Sequence, residues 1–139
     1  VSNLPQPTIH VVVGLPGSGK SAMAQSMVED PKRKRPAILV NEPKFTDDIP
    51  ADWPDDIVLA DSRLCCPLYR ASMTSFLARE LPKHEVRWIW FRNEPNACRA
   101  NLALRNASEA VVRDIDTLKW EYEVPEGVDA LPVWRPDQP

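Results

Sequence analysis

Apolar residues fall along the chain in short blocks, and the blocks alternate between two spacings. Thr8-Ile9-His10-Val11-Val12-Val13 is a nearly unbroken, β-branched apolar run. Such a run predicts a strand covered on both faces, as in a parallel sheet. Gly14 to Gly19 reads as a loop. From Lys20 to about Glu29, Ala22, Met23, Met27 and Val28 recur at helical spacing, and Pro31 ends the segment. Ala37–Val40 predicts a second strand. Residues 41–56 are acidic, carry Pro43, Pro50 and Pro54, and predict an irregular loop. Ile57–Ala60 predicts a third strand that stops at Asp61. Pro67 suits the first turn of a helix. Tyr69, Met73, Phe76 and Leu77 follow it on one helical face. Val86–Phe91 predicts a fourth strand, with Trp88 and Trp90 on one face as core. Pro95 opens a helix to about Arg105. Ser108 caps a last one carrying Val111, Val112, Ile115 and Leu118. Leu131–Trp134 predicts a short edge strand, where proline is tolerated.

Strand and helix thus alternate throughout. The pattern predicts an α/β fold: three layers, with a parallel sheet of about five strands flanked by helices. Ligands of such folds bind beyond the carboxyl ends of the strands. The chain's 139 residues fit one domain, 1–139.

The segment after the first strand narrows the chemistry. Gly14, Leu15, Pro16, Gly17, Ser18, Gly19, Lys20 and Ser21 match G-x-x-x-x-G-K-S/T, the phosphate-binding P-loop, at every specified position. Three of the chain's four glycines lie here. They let backbone N–H groups turn inward toward phosphate oxygens. Lys20 supplies a point charge for the β- and γ-phosphates, Ser21 a hydroxyl for Mg²⁺, and the following helix its positive end. ATP and Mg²⁺ are therefore the expected cofactors. Asp61, at the end of the third strand, is the second candidate for the metal. Glu42, after the second strand, is the candidate base for an attacking hydroxyl, with Asp47 and Asp48 as fallbacks.

Phosphoryl transfer also needs positive charge against the migrating group. Arginines outnumber lysines eleven to six. Arg105, beside the Asn106-Ala107-Ser108 break, and Arg99 are the candidate lid residues, with Arg113 behind them. Arg63 is placed to meet an acceptor. Lys32–Arg35 is either a nucleic-acid contact or a solvated turn at a helix end. The tryptophans Trp53, Trp88, Trp90, Trp120 and Trp134 offer faces on which a base could stack, and Trp53, in the acidic loop, is the leading candidate.

Net charge is −3 and the pI is near 5.4, which argues against a nucleic-acid coat protein. Cys65, Cys66 and Cys98 have no zinc spacing and fit a reducing compartment. No apolar run approaches the roughly 18 residues of a membrane span. The first residues lack a signal peptide's order, so a cytoplasmic location is expected.

Ile57 to Leu64, then Pro67 and an arginine-bearing helix, resembles the third-strand region of phage polynucleotide kinases. The P-loop and the segment Asn106–Trp120 agree with that layout. The resemblance implies catalysis by the P-loop Lys20 and Ser21, an acid after the second strand, and a lid arginine. Glu42 stands where that family has Asp, and Arg105 is the nearest lid match. The tract Phe91–Asn101 and the small size resemble phage kinases that phosphorylate hydroxymethyluracil in DNA. That resemblance implies an ATP-dependent phosphotransferase acting on a nucleotide or DNA hydroxyl, in the host cytoplasm. The alternatives are a five-prime-hydroxyl polynucleotide kinase, a small-molecule or nucleoside kinase, and a partner-dependent P-loop ATPase.

Overall fold

The computed structural model describes residues 6–44 and 46–135. Four strands and four helices alternate in it: β1 (Thr8–Val13), α1 (Lys20–Glu29), β2 (Ala37–Asn41), β3 (Asp56–Ala60), α2 (Pro67–Glu80), β4 (Glu85–Trp90), α3 (Pro95–Leu104) and α4 (Glu109–Glu121). Short 3₁₀ turns at Thr46–Asp48 and Ser62–Cys65 fill two of the connections. The sheet is parallel throughout, in the order β2-β3-β1-β4.

That order places β3 between β1 and β2. The chain therefore leaves β1 toward one edge of the sheet and later crosses back to the other. The reversal opens a crevice at the carboxyl ends of the central strands. Gly14, Glu42 and Asp61, which follow or lie just beyond β1, β2 and β3, all sit at this end.

Alternation along the strands sorts the core into two layers. Ile9, Val11, Val13, Ile57 and Leu59 face one side and pack with Met73 and Leu77 of α2, Cys98 and Leu102 of α3, and Ile115 of α4. Val12, Val58 and Ala60 face the other, where Ala24 of α1 and Phe91 cover them. Both faces are dry, which explains the unbroken apolar runs of β1 and β3. Trp88 and Trp90 stack on the first face, with ring centroids 5.6 Å apart.

The sheet has four strands, where about five were expected. Leu131 makes a single parallel bridge to Phe91: its N–H donates to the Trp90 carbonyl at 2.8 Å, and Arg92 donates to its own carbonyl at 2.7 Å. The next donor of the ladder would be the Val133 N–H, which instead donates to Glu94 Oε1 at 3.2 Å, so the ladder ends. The segment instead reaches over the glycine loop, and the Trp134 N–H donates to the Ser18 carbonyl at 3.1 Å.

Arg33 and Arg35 pair with Asp56 and Asp55 beneath the amino ends of the strands. The basic run thus locks the base of the sheet, at the end opposite the crevice. The Trp53 indole N–H donates to the Asp56 carbonyl at 3.0 Å at that same end, so this tryptophan lies away from the glycine loop. No helix of the described residues is long and apolar enough to cross a membrane.

Candidate active site

The glycine loop is built for backbone donors. Gly17 and Gly19 have φ of +86° and +98°, a region where side chains are strained. A Cβ on Gly17 would stand 2.5 Å from the Cys98 carbonyl oxygen, and one on Gly19 would stand 2.8 Å from the Trp134 Cβ. The loop is therefore held against α3 on one side and the C-terminal segment on the other. Gly19 is the N-cap of α1 and gives no side-chain cap, and no acid occupies the first turn. The first N–H groups of a helix have no intrahelical acceptor. They are left open to an anion, with the helix dipole behind them. Ser18 Oγ is buried without a partner at the same place. These features fit a bound phosphate.

Lys20 is buried, and its Nζ lies 2.9 Å from Glu42 Oε1. Glu42 also accepts from the Ser62 N–H at 3.0 Å and the Ser62 hydroxyl at 2.7 Å. Its backbone sits at φ +48°, in the left-handed region that non-glycine residues rarely adopt. The strain turns the carboxylate across the crevice from β2 to the β3 end. Burial works to raise its pKa. The Lys20 charge and the Lys20 and Ser62 hydrogen bonds outweigh that and hold it below the ordinary glutamate value. Glu42 is therefore ionised at neutral pH.

Asp61 is fully buried and caps the 3₁₀ turn, accepting from the Arg63 N–H at 3.0 Å. The Arg63 guanidinium donates to both its oxygens, at 3.1 and 2.9 Å, and the Tyr69 hydroxyl donates at 2.8 Å. Burial pushes the Asp61 carboxyl upward and those donors offset part of the rise. Arg63 stacks on Tyr69 and also donates to the Pro43 carbonyl. Asp61 thereby fixes the Arg63 fork at the mouth of the crevice.

Ser21 Oγ donates to Asn41 Oδ1 at 3.0 Å. Ser21 and Glu42, which line the crevice, offer hard oxygen donors and no soft ligand, whereas both oxygens of the buried Asp61 are taken by Arg63 and Tyr69. Mg²⁺ keeps waters and phosphate oxygens as most of its ligands. It does not need a cage of three acids, and none exists among the described residues. The donor set fits the ion.

Two cavities meet at the start of α1. One, of about 430 Å³, lies between Gly19, Asn101, Leu104 and Trp134. The other, of about 600 Å³, lies between Glu42, Ser62, Arg63 and the α4 residues Val111, Asp114, Thr117 and Leu118. Gly17, Lys20, Ser21 and Arg105 line both. Arg105 ends α3 in a Schellman turn. The Asn106 N–H donates to the Ala103 carbonyl, the Ala107 N–H donates to the Leu102 carbonyl, and Asn106 sits at φ +52°. Asn106→Val forces a β-branched residue into that conformation. Urea unfolding should show a loss of about 1–2 kcal/mol, while Asn106→Gly stays within a few tenths of the parent.

The other predicted residues lie elsewhere. Arg99 bonds Asp116 and Asn96, tying α3 to α4, and lines neither cavity. Arg113 is exposed on α4, donating weakly to the Glu109 carbonyl. Asp47 is exposed, and Asp48 accepts the Lys44 N–H at 3.0 Å.

Asn101 and Asp114 escape a sequence reading, and Trp134 takes the place expected first of Trp53. Asn101 Nδ2 donates to the Gly17 carbonyl at 2.9 Å and to the Trp134 carbonyl, clamping the C-terminal segment to the loop. Its signal was present: a polar residue among the apolar positions Ala97, Cys98 and Leu102. Trp134 and Asp114 carry no local signal, because long-range packing alone brings them to the crevice.

No protein-family model matches the sequence, and no curated protein sequence matches it. Among solved structures, a gluconokinase from Sinorhizobium meliloti 1021 superposes with a TM-score of 0.60 over 96% of this chain and 86% of that chain, at 18% identity. At that identity the likeness is one of fold: this chain has the architecture of a small kinase.

Proposed function

We propose that the protein is an ATP-dependent phosphotransferase that moves the γ-phosphoryl group to a hydroxyl of a small molecule. One observation carries the reading. Two cavities meet at Lys20, Ser21 and Arg105, and a carboxylate, Glu42, faces the second. A nucleotide switch needs the first cavity; transfer needs both. The likeness to a gluconokinase supports a small acceptor.

The residues divide the work as follows. The open N–H groups of α1 and the glycine loop hold the β- and γ-phosphates. Lys20 leaves Glu42 for those oxygens. Glu42, so released, accepts the proton of the acceptor hydroxyl as the new O–P bond forms and the bond to the β–γ bridging oxygen breaks. Arg105 stands where the phosphoryl group crosses and stabilises its charge. Ser21 would hold Mg²⁺, while both oxygens of Asp61 are taken by Arg63 and Tyr69. When bound, the ion would neutralise charge developing on the phosphates.

Trp134 and Leu104 form apolar walls of the nucleotide-side cavity, and both rings and methyls are exposed there. Stacking of a base on an aromatic ring is worth about 1–3 kcal/mol. Trp134→Ala should therefore raise the KM for ATP about 5- to 100-fold, with kcat nearly unchanged, and Trp134→Phe should restore it. Steady-state kinetics at saturating acceptor checks this.

The reading is tested with labelled ATP, Mg²⁺ and a panel of acceptors. Label in low-molecular-weight hydroxyl compounds is the expected result. Label only in DNA containing hydroxymethyluracil, or only at DNA five-prime ends, would move the protein to nucleic-acid modification or repair.

A further inference from the structure

Resting on the phosphotransferase reading, the charges around the second cavity assign a class to its acceptor. Lys20 is matched by Glu42, and in the working enzyme it moves to the phosphates. Arg63 is matched by Asp61 through a fork and a backbone bond. Arg105 lies at the junction with the nucleotide cavity and faces the migrating group. Two carboxylates of the lining then remain: Glu42, which acts as the base, and Asp114. Asp114, on α4, has no ion pair or hydrogen bond among the described residues, and it is exposed into the cavity across from Glu42 and Ser62.

The rest of the α4 face completes the pattern. Val111, Asp114, Thr117 and Leu118 follow one another at helical spacing along the cavity wall. They present two apolar side chains flanking a carboxylate and a hydroxyl. Such a wall covers a carbon skeleton with Val111 and Leu118. It accepts hydroxyl hydrogens with Asp114 and Thr117, as Ser62 does from the opposite side. A free carboxylate on the cavity wall repels a second anion. It binds neutral hydroxyl donors through charge-assisted hydrogen bonds.

We infer that the acceptor is an uncharged polyol held by Asp114 through its hydroxyls, and that acidic acceptors are selected against. The reacting hydroxyl faces Glu42, and a second hydroxyl of the same molecule faces Asp114. Asp114 is then a specificity residue: it contacts substrate but takes no part in proton transfer.

The experiment compares kcat/KM for matched acceptors with saturating ATP and Mg²⁺. Neutral acceptors are hexoses, pentoses and ribonucleosides. Acidic ones are sugar acids, sugar phosphates and short DNA strands. The wild type should prefer a neutral acceptor. Asp114→Asn should raise the KM for that acceptor about 10- to 100-fold, leaving the KM for ATP and the unfolding midpoint unchanged. Asp114→Lys should shift the ratio toward acidic acceptors. A wild-type preference for an acidic acceptor overturns the inference and leaves the kinase reading standing. So does an unchanged acceptor KM in Asp114→Asn. Failure to phosphorylate any acceptor, with ATP still bound, brings down the kinase reading and this inference with it.

Discussion

Lys20→Ala abolishes phosphoryl transfer in this account, with a fall of at least about 10²-fold in kcat. The side chain is nearly buried and its charge has one partner, Glu42. Removing it takes away the cation that, among the described residues, lies both at the α1 N-terminus and in ion-pair contact with the candidate base. Two consequences separate a catalytic loss from a folding one. The variant should keep its far-ultraviolet spectrum, because Lys20 opens the first turn of α1, where Ala is a better helix former. It should also show a higher Glu42 pKa, since the Lys20 charge and hydrogen bond are gone and only the Ser62 bonds are left against burial. Transfer assays beside a carboxyl titration of the variant by NMR check both points. Full activity in Lys20→Ala would contradict the assignment.

Glu42→Gln is the second large effect. A positioned base is worth about 10²–10⁴-fold, so kcat should fall by that factor while the KM for ATP changes little. Gln keeps the size and the acceptor oxygen for Ser62, so the fold persists. The pH dependence follows from the same contacts. Glu42 titrates below its ordinary value in the free enzyme. The base form is therefore fully present above that value and lost as pH falls through the lowered one. The acid limb of kcat/KM should lie below the usual glutamate range in the wild type and vanish in Glu42→Gln. A limb unchanged by the substitution would hand the proton to another group.

Much of this arrangement was legible in the chain. The β-branched run before Gly14 and the clustered glycines fixed β1, the loop and α1, because a dry strand and a phosphate turn each demand a narrow set of residues. Pro67, Pro95 and Ser108 marked three helix starts for the same reason: few residues suit those positions. Glu42 and Asp61 were placed by their position after strands, and the structure brings both to the crevice. Its geometry adds what position alone omits, namely that Asp61 holds Arg63 with both oxygens.

Other features depend on long-range packing and leave no local trace. Arg99 and Arg105 share a helix and differ by six residues. Only the docking of α4, through Asp116, turns Arg99 into a structural tie and leaves Arg105 over the cavities. The expected fifth strand ends after Leu131, where the Val133 N–H turns to Glu94 and the Trp134 N–H to Ser18. That diversion places Trp134 at the nucleotide cavity. Trp53, the tryptophan favoured by its loop position, is instead bonded at the far end of the sheet.

The most direct test of the central claim is the fate of the γ-phosphoryl group in a single turnover. Enzyme in excess over labelled ATP, with Mg²⁺ and a pooled set of neutral polyols, should place the label in an organic phosphomonoester, and Glu42→Gln should slow its appearance. Label released only as inorganic phosphate, at a rate indifferent to every acceptor and to Glu42, would contradict the account and leave a nucleotide hydrolase.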